Sequence, residues 1–434
     1  MGNLKNKRKR NQIKKKMTQV FLGSGTAFVL LCGAAFLSSG CGADTADGDI
    51  VSENIQTEST DHTEAIDFTQ ATEVINETEV LEEIEEADSM RIVMAGDMLM
   101  HERIVESGLQ EDGTYNFDHL FANVKDTIQE ADLAIVNQET IMGGPSFGYT
   151  GYPSFNSPYE LAHAEKEAGF DLLLLATNHA LDKGGKGVVN CMAYLDEYLP
   201  ELDYVGINHS QEEQDNRIYT YEANGIKVAV LNYTYGTNGI PHPKSKPYLV
   251  NLMKEDKIRS DIRKAEEVAD FTILCPHWGT EYNMGTDSSQ EKWVQIFLEE
   301  GVDLVLGAHP HVIEPIEWIT DENGNQMLVY YSLGNFVNGT ASTGHGVTTR
   351  MVGGIADVTI ERDEETGEVS VKEYGAIPIV CHVGHGTEYT VYYMEDYTEE
   401  MASENLIRLQ DSEFSKALCE SIFTEVFGEL FIQN

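Results

Sequence analysis

Five times in this chain a short apolar run ends directly on Asp, Glu, Asn or His. Val93-Met94-Ala95-Gly96 leads to Asp97, Ala134-Ile135-Val136 to Asn137-Gln138-Glu139, and Leu173-Leu174-Leu175-Ala176-Thr177 to Asn178-His179. Thr272-Ile273-Leu274-Cys275-Pro276 leads to His277, and Leu304-Val305-Leu306-Gly307-Ala308 to His309-Pro310-His311. One such ending is ordinary turn chemistry. Five in one chain gather mixed nitrogen and oxygen donors, which suit Mn, Fe, Zn or Mg rather than copper or iron-sulfur. A metal centre holding one or two divalent ions is the expectation. Cys191, Cys275, Cys381 and Cys419 are widely spaced with no Cys-x-x-Cys pair, so a thiolate site is not expected, while disulfides and buried thiols both stay open.

Elements must bring these residues together. The runs Ile92–Ala95, Leu133–Val136, Leu172–Leu175, Lys227–Asn232, Phe271–Leu274 and Leu304–Leu306 read as strands. Amphipathic segments Asp118–Glu130, Pro158–Ala168, Gly185–Tyr198, Asp256–Val268 and Ser288–Glu299 alternate with them. This alternation predicts an α/β fold with a largely parallel sheet, whose carboxyl edge is where such folds bind ligands. Gln326–Ser332, Gly353–Glu361 and Val369–Ala376 read as antiparallel strands around Asn323-Gly324 and Thr366-Gly367 turns, which implies a second sheet facing the first. The expected folded domain spans 91–380, with a helical appendage over 381–434.

The ordered motifs Gly96-Asp97-Met98, Asn137-Gln138-Glu139, Asn178-His179, His277-Trp278-Gly279-Thr280-Glu281, Gly307-Ala308-His309-Pro310-His311 and Ser332-Leu333-Gly334-Asn335-Phe336 span nearly 300 residues. Together they resemble the calcineurin-like metallophosphoesterases, and within them the CapA/PgsA family of capsule and poly-γ-glutamate synthesis. The resemblance implies a four-layer αββα sandwich. It also implies that Asp97 and Glu139 bind one or both ions, that Asn178, His277 and His309 complete one shell, and that His311 serves the other. His179 would then act as general acid or hold a substrate oxygen. The superfamily commonly has Asp-x-His where this chain has Asp97-Met98-Leu99, so one site is a ligand short, as in the CapA branch; His101 is a candidate replacement.

Around these, Asn137 and Asn335 are expected near the centre, Asn335 shaping its loop with Gly334 and Phe336. Trp278 and Tyr282 either stack on substrate or pack under a loop. Glu281 is a candidate to hydrogen-bond a metal-bound histidine. Lys183-Gly184-Gly185-Lys186-Gly187 lacks phosphate-loop spacing and reads as a turn leading into a helix. No Gly-x-Ser-x-Gly elbow is present, which argues against a serine hydrolase.

The ends of the chain read as export and tether. Eight Lys or Arg lie in the first sixteen residues with no acid, followed by the apolar stretch Val20 to Leu37 and then Ser38-Ser39-Gly40-Cys41. This is a secretory signal over 1–40, and its end resembles a bacterial lipobox that would lipidate Cys41; an uncleaved anchor helix is the alternative. Either predicts a location on the extracytoplasmic face of the cell membrane. Residues 41–90, with sixteen acids and no Lys or Arg after Cys41, read as a disordered acidic tether. Without the basic start the chain keeps 21 basic against 73 acidic residues, a net charge of −52. Such a charge repels nucleic acid, which is not an expected partner.

Three functions follow from this reading. The first is an accessory role in cell-surface polymer formation beside a membrane polymer-synthetase complex, with cations mediating contact to the polyanion. The second is a secreted metal-dependent phosphoesterase acting on a wall or lipid-linked phosphate. The third is a metal-stabilised scaffold without catalysis.

Overall fold

The computed structural model describes residues 88–344 and 346–428. The expected signal, Cys41 and almost all of the expected tether lie outside them. The first strand, β1 (Ser89–Leu99), starts two residues before the expected domain edge and is buried along nearly its whole length. Beside it run β2 (Leu133–Asn137), β3 (Leu172–Leu174) and β4 (Asp203–Val205), all parallel. β5 (Tyr219–Ala223), β6 (Ile226–Thr234), β7 (Phe271–His277), β8 (Leu304–Leu306), β9 (Ile313–Thr320) and β10 (Gln326–Leu333) form a second sheet in the order β5-β6-β7-β8-β10-β9. The chain then returns to the first sheet with β11 (Asn335–Asn338), β12 (Val352–Arg362), β13 (Val369–His382) and β14 (Thr390–Tyr393), giving the order β14-β13-β12-β1-β2-β3-β4 with β11 parallel to β1.

The sequence reading needs correction here. The six alternating strands do not share one parallel sheet: three lie in each, and the antiparallel pair β12 and β13 extends the first sheet rather than building the second. Strands buried on both faces carry continuous apolar runs, so their patterning cannot tell one sheet from the other.

Alternation within the second sheet defines the layers. Val228, Val230, Phe271, Ile273, Leu304, Leu306, Leu328 and Tyr330 face the main core shared with the first sheet. Ala229, Leu231, Leu274, Val305, Met327 and Val329 face a separate cluster. Helices of the first sheet are α1 (Glu102–Ser107), α2 (Lys125–Gln129), α3 (Glu160–Ala168) and α4 (Gly184–Tyr198), which bring Ile104, Ile128, Leu161, Val188 and Leu195 to the main core. After the short α5 (Gln211–Asn216), helices α6 (Glu255–Val268) and α7 (Ser288–Glu300) cover the second sheet with Ile258, Ile262, Val294 and Phe297. The result is a helix-sheet-sheet-helix sandwich, as the resemblance implied.

Two further expectations change. The helix expected over 118–130 is a 3-10 turn at Asp118–Leu120 and then α2, because Leu120, Phe121, Val124 and Ile128 reach the core at a spacing that a bent path also satisfies. The boundary expected at 380 falls inside β13, and β14 continues the sheet beyond it. Helices α8 (Glu399–Glu404) and α9 (Lys416–Phe427) follow, and Phe414, Phe423 and Phe427 belong to the main core, so this region is part of the packed body. All four described cysteines are buried thiols outside any disulfide.

Candidate metal centre

Both sheets deliver polar side chains from their carboxyl edges to one place. Asp97 sits where β1 leaves regular register with β2 and β11, an irregularity of the kind that re-aims a side chain beside a functional site. Gly96 before it is obligatory by contact: a Cβ there would meet the Gly334 carbonyl oxygen at 2.0 Å. That close approach lets the Asp97 amide donate to Gly334 O at 2.9 Å, which locks β1 to the turn before β11.

Asp97 is fully buried and its carboxylate is held from three sides. Asn137 Nδ2 donates to Oδ1 at 2.8 Å, the His309 amide donates at 3.1 Å, and His311 Nδ1 lies 3.0 Å from Oδ2. Glu139 is fully buried as well, yet neither of its carboxylate oxygens has a hydrogen-bond partner. Its Oε1 stands 3.7 Å from His277 Nε2 and 3.6 Å from His311 Nε2. His277 Nε2 is 3.0 Å from Asn178 Oδ1, and His309 Nδ1 is buried without a partner. Ligand atoms of Asp97, Glu139 and His277, and again of Glu139, His309 and His311, all lie within 4.8 Å of one another. Donor atoms bound about 2.0–2.2 Å from one small cation have separations of this order.

Burial without partners is costly, and the titration of the site reflects it. Desolvation drives Glu139 well above the usual carboxylate range, with the Asp97 charge adding to the rise and His311 opposing it. Burial and neighbouring histidines push His277 and His309 well below their ordinary value, leaving neutral imidazoles able to donate a lone pair. Burial would also lower His311, but Glu139 and Asp97 overcome it and raise the ring to about 9. The unpartnered Glu139 oxygens and His309 Nδ1 are what a divalent cation would satisfy, so these residues fit a metal.

The backbone is held in unusual conformations at the same place. Among the described residues five non-glycine positions have positive φ, and four surround this centre: Asn238 (50°), Tyr282 (65°), His309 (104°) and His311 (60°). Each such residue costs on the order of 1–3 kcal/mol, offset by the surrounding structure.

The remaining expected residues fall at different distances from the cluster. His179 is nearly buried, its Nδ1 is 2.7 Å from Asp182 Oδ2, and its ring meets Phe155 edge-on at 4.6 Å. His101 caps α1 just beyond the strand end and stands edge-on to Phe155 at 5.4 Å. Burial first, and then the charges of His311 and His179, lower it to about 4. Leu99 is buried in register with Asn338. Asn335 Oδ1 lies 3.2 Å from His311 Nδ1, while its Nδ2 donates to His311 O and Arg350 O.

Two candidate residues do not touch the centre, and for Trp278 packing is the alternative that holds. Trp278 does not face the centre: it is 2% exposed, packs between Phe297 and Tyr331 under α7, and donates Nε1–H to Tyr331 O at 2.9 Å. Strand alternation explains this, since His277 faces the centre and its successor must face away. Glu281 sits on the exposed turn with Tyr282 and, among the described hydrogen bonds, makes none to a histidine; its charge still bears on Glu139 and His311.

Sequence reasoning missed three residues at the rim. Tyr235 is half-exposed with its ring 4.7 Å from that of His309. Asn238 Nδ2 lies 3.4 Å from His179 Nδ1. The Arg350 guanidinium lies 3.6 Å from the Tyr282 ring centroid. Asn238 belongs to an irregular segment, Arg350 to the 3-10 turn Thr348–Met351, and Tyr235 directly follows β6; the apolar run of β6 and the proximity of Arg350 to the Ser332–Phe336 motif were the signals on offer.

Residues 91–340 match the sequence model of the family described as bacterial capsule synthesis protein PGA_cap, and the chain belongs to that family. The capsule biosynthesis protein CapA of Bacillus anthracis is 29% identical over 261 residues, 58% of this chain and 60% of that protein. The PGA biosynthesis protein CapA of Bacillus subtilis is 29% identical over 258 residues, 58% of this chain and 63% of that protein. The matched stretch therefore spans less than two thirds of either relative. Among solved structures, the chain is similar to the NAD nucleotidase of Haemophilus influenzae, at 13% identity and TM-score 0.42 over 78% of this chain and 67% of that one. It is also similar to the calcineurin-like phosphoesterase YfkN of Bacillus subtilis, at 14% identity and TM-score 0.37 over 68% of this chain and 91% of that one.

Proposed function

We propose that this protein works on the extracytoplasmic face of the cell membrane, anchored through Cys41, in the synthesis or export of a capsule polymer of the poly-γ-glutamate kind. In this reading Asp97, Glu139, Asn178, His277, His309 and His311 hold one or two divalent ions. The observation that carries it is Glu139: a fully buried carboxylate with no hydrogen-bond partner, facing histidine nitrogens from two other segments. Family membership supports the polymer, and the export signal supports the location. The partner is a membrane polymer-synthetase complex. A net charge of −52 for the exported part means that divalent ions must mediate contact with a polyanion.

The test is genetic. Deleting the gene should remove or shorten the surface polymer; wild-type protein should restore it and Asp97→Ala should not. Unchanged polymer after deletion contradicts the reading.

A second reading, metal-dependent hydrolysis of a phosphate ester, is favoured by one specific observation. Asp182 fixes Nδ1 of His179, which leaves Nε2 to hold or move a proton at a leaving oxygen. A bound divalent cation would supply charge against the developing oxyanion and activate water. Asn137 keeps Asp97 oriented, and the buried walls of Glu139 and His277 exclude bulk water. Turnover of an aryl phosphate with Mn2+, Fe2+, Zn2+ or Mg2+ tests this reading; a folded protein inactive with all four removes it.

A further inference from the structure

Arg350 differs from five of the described arginines and, like Arg408, whose Nη1 donates to Phe414 O, has no carboxylate partner among the described residues. Arg91, Arg217, Arg259, Arg263 and Arg362 each pair with an Asp or Glu, as is easy in a chain with 73 acids. Arg350 forms no ion pair among the described residues; its Nη1 instead reaches the hydroxyl oxygen of Ser342 at 2.9 Å, and its Nε is buried without an acceptor. The guanidinium carbon lies over the Tyr282 ring, 3.6 Å from its centroid, and that centroid is 6.0 Å from the centroid of His311. Its backbone is tied to the centre too, because the Arg350 carbonyl accepts from Asn335 Nδ2 at 2.9 Å and from Asn338 Nδ2 at 3.3 Å. Asn335 in turn touches His311.

We propose that Arg350, backed by Tyr282, is a substrate-anchoring residue that grips a carboxylate of the substrate beside the metal centre. The proposal rests on the reading of that centre as the working site. A stacked guanidinium is pre-organised, and its edge presents parallel N–H donors that match a planar carboxylate. Nη2 makes no hydrogen bond among the described residues, so the fork has donors to give. A carboxylate fits better than a phosphate dianion for electrostatic reasons. Glu281 adjoins the Tyr282 platform and the whole chain is strongly acidic, so each further negative charge on one bound group adds repulsion. Arg350 thereby gives the site a reason to prefer acyl substrates with free carboxylates over simple phosphate esters.

The experiment is calorimetric titration of the Mn2+-loaded full chain with three probes: γ-linked triglutamate, its analogue with the free carboxylates converted to carboxamides, and inorganic phosphate. Arg350→Gln should weaken triglutamate roughly tenfold or more, the loss expected for a charged hydrogen-bonded pair. It should leave the amide analogue and phosphate unchanged. Arg350→Lys, which keeps the charge but loses the fork, should recover part of the affinity. Triglutamate binding that is absent in the wild type, or unchanged in both variants, overturns the proposal. Equal loss of triglutamate and phosphate assigns the guanidinium to phosphate and overturns the carboxylate. Repeating the titration after chelation separates the two readings: Arg350-dependent binding that survives without metal keeps the clamp while the metal centre falls. Metal-dependent phosphate binding with no Arg350 effect does the reverse.

Discussion

Asp97 Oδ2 and His311 Nδ1 lie 3.0 Å apart although 214 positions separate them. The contact joins the two sheets at their carboxyl edges, since Asp97 comes from β1 and His311 from the loop between β8 and β9. Burial lowers the proton affinity of His311, and its carboxylate neighbours Glu139 and Asp97 raise it to about 9. A cation taken up here competes with that proton.

Metal uptake should therefore depend on pH. Protons on Glu139, raised by burial, and on His311, raised to about 9, compete with the cation. Apparent affinity should rise as pH goes from 6 to 9, with proton release on binding. Calorimetry in buffers of different ionisation enthalpy measures that release; an affinity flat with pH and no released proton would contradict it.

The two glycines at the strand ends are structural conditions for the site. A Cβ on Gly307 would meet the Tyr331 carbonyl oxygen at 2.0 Å, as one on Gly96 would meet Gly334. Gly307→Ala should cost about 1–3 kcal/mol of stability by overpacking. It should also displace His309 and lower metal content. Denaturant unfolding and metal analysis check the two effects; a variant as stable and as metal-rich as wild type would refute them.

If the protein hydrolyses a phosphate ester, His179→Ala should lower kcat by about 10²–10⁴ with metal content unchanged. Asp182→Asn should lower kcat less and shift the alkaline limb of the pH profile, where a general acid loses its proton, because it acts through the ring it holds. Equal kcat in both variants would exclude His179 as the acid.

Glu165 offers a test away from the centre. It is fully buried in α3 with both oxygens unpartnered, and desolvation holds its pKa well above the ordinary value. A carboxyl whose folded pKa is raised is protonated when folded, so its contribution is most favourable below the unfolded value of about 4.3 and is lost as pH rises above it. Glu165→Gln should thus match wild type near pH 4.5 and exceed it by about 1–3 kcal/mol at pH 8. Thermal unfolding across that range measures the gap; a gap that shrinks as pH rises would contradict the assignment.

The ligand cluster was legible because each member directly follows an apolar run, and a strand end fixes where the next side chain goes. Nine strand positions and most helices followed from the same kind of pattern. The assignment of strands to sheets did not, because Leu172–Leu174 and Leu304–Leu306 are alike in sequence and buried on both faces. Trp278 was ambiguous until its register with His277 was known. Arg350 and Asn238 were missed because a short 3-10 turn and an irregular segment carry them, whose course depends on long-range packing rather than on a local period, while Tyr235 directly follows β6 but is not a usual metal ligand. β11 and β14, four residues each, were too short to show alternation.

The central claim is that Asp97, Glu139, His277, His309 and His311 hold divalent cation together. Elemental analysis of the purified chain after metal loading and dialysis tests it most directly, with Asp97→Ala and His309→Ala beside wild type and circular dichroism to confirm folding. The account predicts roughly one to two equivalents of Mn, Fe, Zn or Mg in wild type and at least a tenfold loss in each folded variant. Wild-type protein that retains none of these metals, or folded variants that retain as much as wild type, would contradict it.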